Sequence, residues 1–221
     1  MHDLGKWFLS GAFLVDSRYL TDQTVKAIMP RPTSDVQTRI LRAIDRQLRT
    51  LGASALTIEN VAAETGCAKG LVTYHFKTKS ALLAAAAEKL FQERDARWRS
   101  ALSASTLDDA ISQSWQLISG DVSSGFWKAQ ASLAAGDKLT VQTVNSAEEA
   151  FARLIATLVE SLLREMGLKP SVTPDELGHL VSAGIQGFGM QLLNGLSAEH
   201  VEGAYAALWV AILSLTHPAR R

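Results

Sequence analysis

TIENVAAETGCAKGLVTYHFKTKSALL, residues 57–83, is the stretch from which the rest of the chain is read. Thr57 is a residue type that caps helices, and a short helix following it is predicted to end near Thr65. Gly66 comes next and tolerates the left-handed backbone of a tight reversal. A second short helix is predicted from about Ala68 to His75. Two such helices cross closely only if a small residue faces the contact, and Ala62 supplies it. Val61, Cys67 and Val72 stand at the offsets that lock the pair, and Phe76, one turn after Val72, extends their core. This is the template of a helix-turn-helix, whose second helix leaves one face free for the major groove of DNA.

Working outward, Ser34 and Gln37 have capping-box spacing before a helix that reaches Leu51 and stops at Gly52. Val36, Ile40, Leu41, Ile44 and Leu48 give it one apolar face, while Arg39, Arg42, Arg46 and Arg49 take much of the remainder. Downstream, helices are predicted from Thr78 to about Ser100, from Thr106 to Ile118, and from Ser123 or Ser124 to Gly136. A long helix ends at Gly167, and Leu168 to Val172 reads as a plain linker. Thr173-Pro174-Asp175-Glu176 is a helix start with a capping threonine, a first-position proline and a glutamate three residues on. That helix stops at Gly195, and Ser197 caps the last one, which ends before Pro218. With no alternating strand pattern, the fold class is all-α. The expected organisation is an N-terminal extension at 1–30, a DNA-binding domain at 31–82 and a helical bundle at 83–221.

Composition narrows the setting. The chain has 221 residues, 47% of them apolar, which is ample for a buried core. Its single cysteine, Cys67, forms no internal disulfide, so a reducing, cytoplasmic location is expected. The apolar run Trp7 to Val15 is broken by Ser10 and Gly11 and lacks a convincing signal-cleavage site. The late run Gly203 to Leu215 is shorter than the roughly 20 residues a membrane span needs. The formal net charge of zero hides a division. From Arg31 to Ser80 eight basic residues face four acids, and from Ala101 to His217 five face twelve. A basic front on an acidic back implies that only the front meets a polyanion.

The motif resembles that of TetR-type transcriptional repressors, on Thr57, Val61, Ala62, Gly66, Gly70, Val72, His75, Phe76, Lys79 and Leu82. Two positions depart from it: Ala68 stands where the family usually caps with serine, and Thr73 replaces the usual tyrosine, with Tyr74 beside it. Resemblance and side-chain chemistry together imply phosphate contacts from Thr57, Thr73, His75 and Lys79, which anchor without reading sequence. They make Lys69 and Tyr74 the base-edge candidates and let the DNA approach closely at Gly70. The blander roles are a packed, hydrogen-bonded His75, a Thr57 that only caps, and a Cys67 that is an inert core residue. The resemblance also implies a homodimer on a palindromic operator of double-stranded DNA. Its last two helices are then the dimer contact, through Gly184, Gly187, Val201, Tyr205, Leu208 and Ile212. The alternative for these residues is an ordinary intramolecular core.

Trp115, Phe126, Trp127, Phe151 and Phe188 are candidates to line a ligand cavity, with Gln130 and His179 as polar anchors beside Gln116 and Gln186. A neutral, aromatic-lined pocket suits a small, largely apolar effector. Asp108-Asp109 and Glu148-Glu149 read as acids at helix starts, favourable to the dipole. No grouping of residues suggests catalysis, a cofactor or a metal site. The expected function is therefore a repressor released from its operator by a small molecule. The competing readings are a regulator controlled by a protein partner or by no effector, and an enzyme on a helical scaffold. Finally, Met29-Pro30-Arg31-Pro32-Thr33-Ser34 itself resembles a native start, so residues 1–28 are expected to be an upstream extension that adds little to the fold. Their rival reading is an extra helix packing through Trp7, Phe8, Leu9, Phe13, Leu14 and Val15.

Overall fold

The computed structural model describes residues 33–103 and 106–219, the side chains of 33 and 34 excepted. The expectations about residues 1–28 and the Ser34 side-chain cap lie outside these. The chain divides into two units, 1–36 and 37–221; of the first, only the opening turn of a helix is described. Nine helices and two short strands follow in order among the described residues: α1 (Thr33–Leu51), α2 (Ile58–Thr65), α3 (Lys69–His75), α4 (Lys79–Leu102), α5 (Leu107–Ser123), α6 (Phe126–Ala134), α7 (Lys138–Glu165), β1 (Leu168–Pro170), α8 (Pro174–Leu193), α9 (Ala198–Ser214) and β2 (Thr216–Pro218).

Local chemistry sets the boundaries. The Thr57, Thr78, Thr106 and Ser197 hydroxyls each accept a backbone N–H in the first turn that follows, satisfying a donor the helix itself leaves unpaired. Thr173 and Glu176 form the complete reciprocal box, with Thr173 N–H donating to Glu176 Oε2 at 2.8 Å. The hydrogen bonds from Thr173 hold the Glu176 carboxyl below its usual pKa range. Gly66 ends α2 at φ 65°. Ile40, Ile44 and Leu48 of α1 are fully buried with Val61, Val72, Phe76 and Leu82, which closes the core of the helix-turn-helix. Each such side chain stabilises the fold by about 1.5–3 kcal/mol relative to exposure.

Four details differ from the expectations. Leu168–Pro170 is a strand rather than a plain linker, pairing antiparallel with Thr216–Pro218 so that Lys169 faces His217. The sequence around it has no alternation to announce it, because three residues are too few to show a period. The turn before α6 is capped by Gly125 at φ 73°, not by Ser123 or Ser124. A Cβ at Gly125 would lie 2.6 Å from the Arg49 carbonyl oxygen, so glycine is required by contact as well as by conformation. Glu148-Glu149 are not at a helix start but deep within α7, which begins at Lys138. Cys67 is half-buried rather than a core residue, because its sulfur faces Arg39 Nη2 at 3.6 Å.

Candidate nucleic-acid interface and sensing domain

The predicted contact residues lie on α3 and at the starts of α2 and α4, with unequal freedom. Tyr74 is 73% exposed and its ring projects from α3. Gly70 is also exposed on α3, and nothing lies within 4 Å of where its Cβ would be. Lys79 is exposed at the start of α4, with Nζ 3.5 Å from the Ser54 carbonyl. Lys69 is exposed but ion-paired to Glu59, which holds that carboxyl below its usual range. Two hydroxyls are engaged within the fold: Thr57 Oγ1 accepts from Asn60 N–H at 3.1 Å, and Thr73 Oγ1 donates to the Lys69 carbonyl at 3.1 Å. Ala68 leaves α3 without a side-chain cap, as its identity requires. His75 is half-buried, with Nε2 shielded from solvent and without a hydrogen-bond partner. A phosphate contact through that nitrogen needs the ring to turn.

Sequence reasoning missed how much of the basic front is spent inside the protein. Arg46 Nε and Gln47 Nε2 both donate to Glu64, at 2.8 and 2.7 Å, fastening α1 to α2. Arg49 pairs with Asp45 at 3.0 Å and reaches the Ser124 carbonyl at 3.4 Å. Exposed Arg42 and Lys77 remain on the surface with Lys79. The charge count therefore overstated the footprint available to a polyanion. No periodic signal separates an arginine that faces a partner from one that faces water.

A family model described as bacterial regulatory proteins, tetR family, matches residues 40–86, the span from α1 into α4. The helix-turn-helix of this chain, residues 40–86, is therefore of the tetR family. Solved structures extend the likeness in fold across most of the chain. A TetR transcription regulator from Haloarcula marismortui has a TM-score of 0.67 at 18% identity, over 83% of this chain and 100% of that one. A TetR-family regulator from Agrobacterium tumefaciens has a TM-score of 0.66 at 14% identity, over 84% and 100%. A transcriptional regulator from Saccharomonospora viridis, solved with choline, has a TM-score of 0.63 at 21% identity, over 79% and 95%. Comparison with curated protein sequences gave no match. No helix among the described residues is long and apolar enough to cross a membrane.

The regulator's DNA-binding helices are tied to the bundle at one seam. Besides the Gly125–Arg49 approach, Lys128 Nζ donates to the Thr50 carbonyl, and Ala53 N–H donates to Ser132 Oγ at 3.1 Å. The end of α1 is thus held by α6 and the turn before it.

Behind that seam lies a polar centre that sequence reasoning did not find. Glu148 of α7 accepts from Arg94 of α4 at 2.7 Å, Gln130 of α6 at 3.0 Å and Gln186 of α8 at 2.7 Å. Burial raises the Glu148 pKa, partly offset by the Arg94 charge and by the hydrogen bonds from Arg94 and Gln186; Asp95 adds to the rise. Arg94 is itself sandwiched by Phe91 and Phe151, at 4.8 and 3.9 Å from the ring centroids. Arg97 holds buried Asp121 in the same way at 2.7 Å.

The seven ligand-pocket candidates do not form one cavity. Phe126 and Trp127 are buried against each other at 5.2 Å, and Gly189 packs on the Trp127 ring. Phe151 packs on Trp98, Gln130 serves Glu148, and His179 is exposed on α8. Trp115 and Phe188 share a neighbour, Tyr205, at 5.5 and 5.9 Å.

The dimer assignment needs correction at several positions. Val201, Tyr205 and Ile212 are buried in the chain's own core, because α9 turns that face toward the bundle. Gly184 lets Leu208 of the same chain approach, its Cβ position lying 2.7 Å from Leu208 Cδ2. The outward face instead carries Leu180, Ala183 and Gly187 of α8 with Gly203, Ala207 and Val210 of α9, all exposed and apolar or small.

Proposed function

We propose that the protein is a homodimeric repressor that leaves a palindromic operator when a small, mostly apolar molecule binds its bundle. The observation that carries this reading is the seam of Gly125, Lys128 and Ser132 against the end of α1. It joins the helices that present Tyr74, Lys69 and Lys79 to the bundle, so a shift of α6 necessarily loads α1. Rearrangement in the bundle then biases the DNA-binding state, as coupling between two sites requires. A second copy is the fitting occupant for the outward face of α8 and α9. Two-fold pairing buries its small residues and matches operator half-sites about 34–36 Å apart. Within the interface, Lys79 with Thr57, Thr73 and His75 contacts phosphate, Lys69 and Tyr74 read the groove, and Gly70 lets the backbone close on it. That the Saccharomonospora viridis protein was solved in complex with choline supports a small-molecule effector.

Sequencing the genomic fragments that the purified protein retains tests the reading. The expected outcome is enrichment of one inverted repeat, bound at a mass of two chains in light scattering and released by a subset of small molecules. Retention without sequence preference, or by a monomer, would overturn it.

A further inference from the structure

The second helix of the DNA-binding pair, α3, turns one side inward and leaves another exposed. Val72 and Phe76, one turn apart, are buried. Gly70 and Tyr74, also one turn apart, are exposed, and Leu71 stands three residues before Tyr74 at 36% exposure. The His75 ring meets the Tyr74 ring edge-on at 5.4 Å. Gly70 has nothing within 4 Å of its Cβ position, so it is an open spot beside the leucine and the tyrosine.

Polar groups of the same helix are engaged within the protein. Lys69 is ion-paired to Glu59 of α2, and the Thr73 hydroxyl donates to the Lys69 carbonyl. What α3 offers outward without first breaking a bond is mostly carbon: the Leu71 side chain, the Tyr74 ring and the Gly70 methylene. A lone exposed leucine is ordinary. Here the leucine sits beside an exposed tyrosine on the helix that enters the major groove. Charge indicates what covers the patch. Lys77 and Lys79 follow α3 directly and are exposed, as is Arg42 on α1, which suits a polyanion. Base edges in the groove differ in what they offer a leucine. Guanine, adenine and cytosine present donors and acceptors, which an apolar side chain desolvates without pairing, at a cost. The C5-methyl of thymine is the one apolar group among the four natural edges.

We infer that Leu71, with Gly70 and the Tyr74 ring, reads the C5-methyl group of a thymine in each half-site of the operator. This rests on the operator-binding reading above and adds the base feature that is recognised. Leu71 thereby becomes a specificity-determining residue, and an apolar one. Lys69 adds a polar contact only where the DNA draws it away from Glu59.

The test starts from a random-sequence duplex library of unmethylated DNA, from which the full chain is expected to retain one inverted repeat. Selection from such DNA makes thymine, not 5-methylcytosine, the source of any methyl that is read. Each thymine of the repeat is then replaced in turn by deoxyuridine in both half-sites. This removes the methyl and keeps the hydrogen-bonding edge. At one thymine the change should weaken binding about fourfold per half-site and about fifteenfold in all, the worth of one buried methyl each time. Fluorescence anisotropy reads it, at a salt concentration low enough to keep every variant measurable. Leu71→Ala should bind the thymine and deoxyuridine operators within about twofold of each other, while Tyr74→Phe keeps the full ratio. The inference is overturned if no thymine shows a loss beyond about twofold, or if Leu71→Ala keeps the parent's ratio. Loss of the ratio in Tyr74→Phe would also overturn it, by moving the readout to the phenol hydroxyl. A library that yields no enriched sequence would sink the operator reading and the inference together. An enriched repeat indifferent to deoxyuridine would sink the inference alone.

Discussion

Lys69 and Arg94 are both cations paired with a glutamate, and they show how differently the two parts of this regulator use charge. Lys69 meets Glu59 at the surface, with side chains 62% and 60% exposed. Arg94 meets Glu148 with side chains 3% and 18% exposed, between two aromatic rings and beside two glutamine amides. A solvated pair contributes little and is screened by salt, so its lysine is free to exchange the carboxylate for a phosphate or base. A buried pair has given up its hydration and depends on each partner for compensation. The DNA-binding helices hold their charge loosely where another molecule is to take it up. The bundle holds its charge tightly where four helices must keep their places.

Four experiments break or sharpen that contrast. The largest effect is expected from Arg94→Ala, which strands Glu148 in the interior. A loss of about 3–5 kcal/mol in chemical denaturation is expected, partly recovered by Arg94→Met combined with Glu148→Gln. Lys69→Ala should stay within about 0.5 kcal/mol of the parent. Equal losses would end the distinction between the two regions.

Glycines give the next contrast. A Cβ on Gly189 would lie 2.1 Å from Trp127 Cε2, so Gly189→Ala should cost about 1–3 kcal/mol by overpacking. Gly70→Ala has open space around it and should stabilise the fold by about 0.4–1 kcal/mol. The same methyl should weaken operator binding, read by fluorescence anisotropy. Tighter binding would remove Gly70 from the interface.

The third is a pH dependence. Glu148 has its pKa raised on folding, so the folded state holds this proton more firmly than the unfolded chain. Stability from this group is then greatest below both values and declines as pH rises from the unfolded value through the folded one. Melting temperatures of the parent should fall relative to Glu148→Gln across that interval and run parallel above it. A parent that gains on the variant with rising pH would contradict the assignment. The smallest effect on stability is expected from Lys79→Ala, within about 0.5 kcal/mol, while the salt slope of DNA binding drops by about one. An unchanged slope takes Lys79 off the list of phosphate contacts.

What could be read in the chain beforehand follows from how far each interaction reaches. Gly52, Gly66, Gly167 and Gly195, read as stops, all have positive φ. Thr57, Thr106, Thr173 and Ser197, read as starts, all cap within three residues. Glu148 was misread because its partners lie 54, 18 and 38 residues away, and two adjacent acids look the same buried or solvated. The face of α9 was misread for a different reason. That helix is apolar or small nearly all round, so spacing alone cannot say whether Val201, Tyr205 and Ile212 look inward or toward a twin. The dispersal of the aromatic candidates was illegible for a third reason: aromatic identity marks bulk, and bulk is what an interior uses to fill itself.

The small ribbon of β1 and β2 has a mechanical consequence. It pairs Leu168 with Pro218 and Pro170 with Thr216, and the hydrogen bonds Ser171 N–H to the Leu215 carbonyl and Ala219 N–H to the Gly167 carbonyl, both 2.7 Å, flank it. The reversal at Gly195 joins α8 and α9 at their other end. Two helices joined at one end can spread like tweezers; joined at both, they make a closed circuit in which spreading is resisted at each end. That leaves tilting or sliding as a single plate against α4, α5 and α7. Any displacement of α9 therefore carries α8 along, and with α8 goes Gln186, one of the three hands on Glu148.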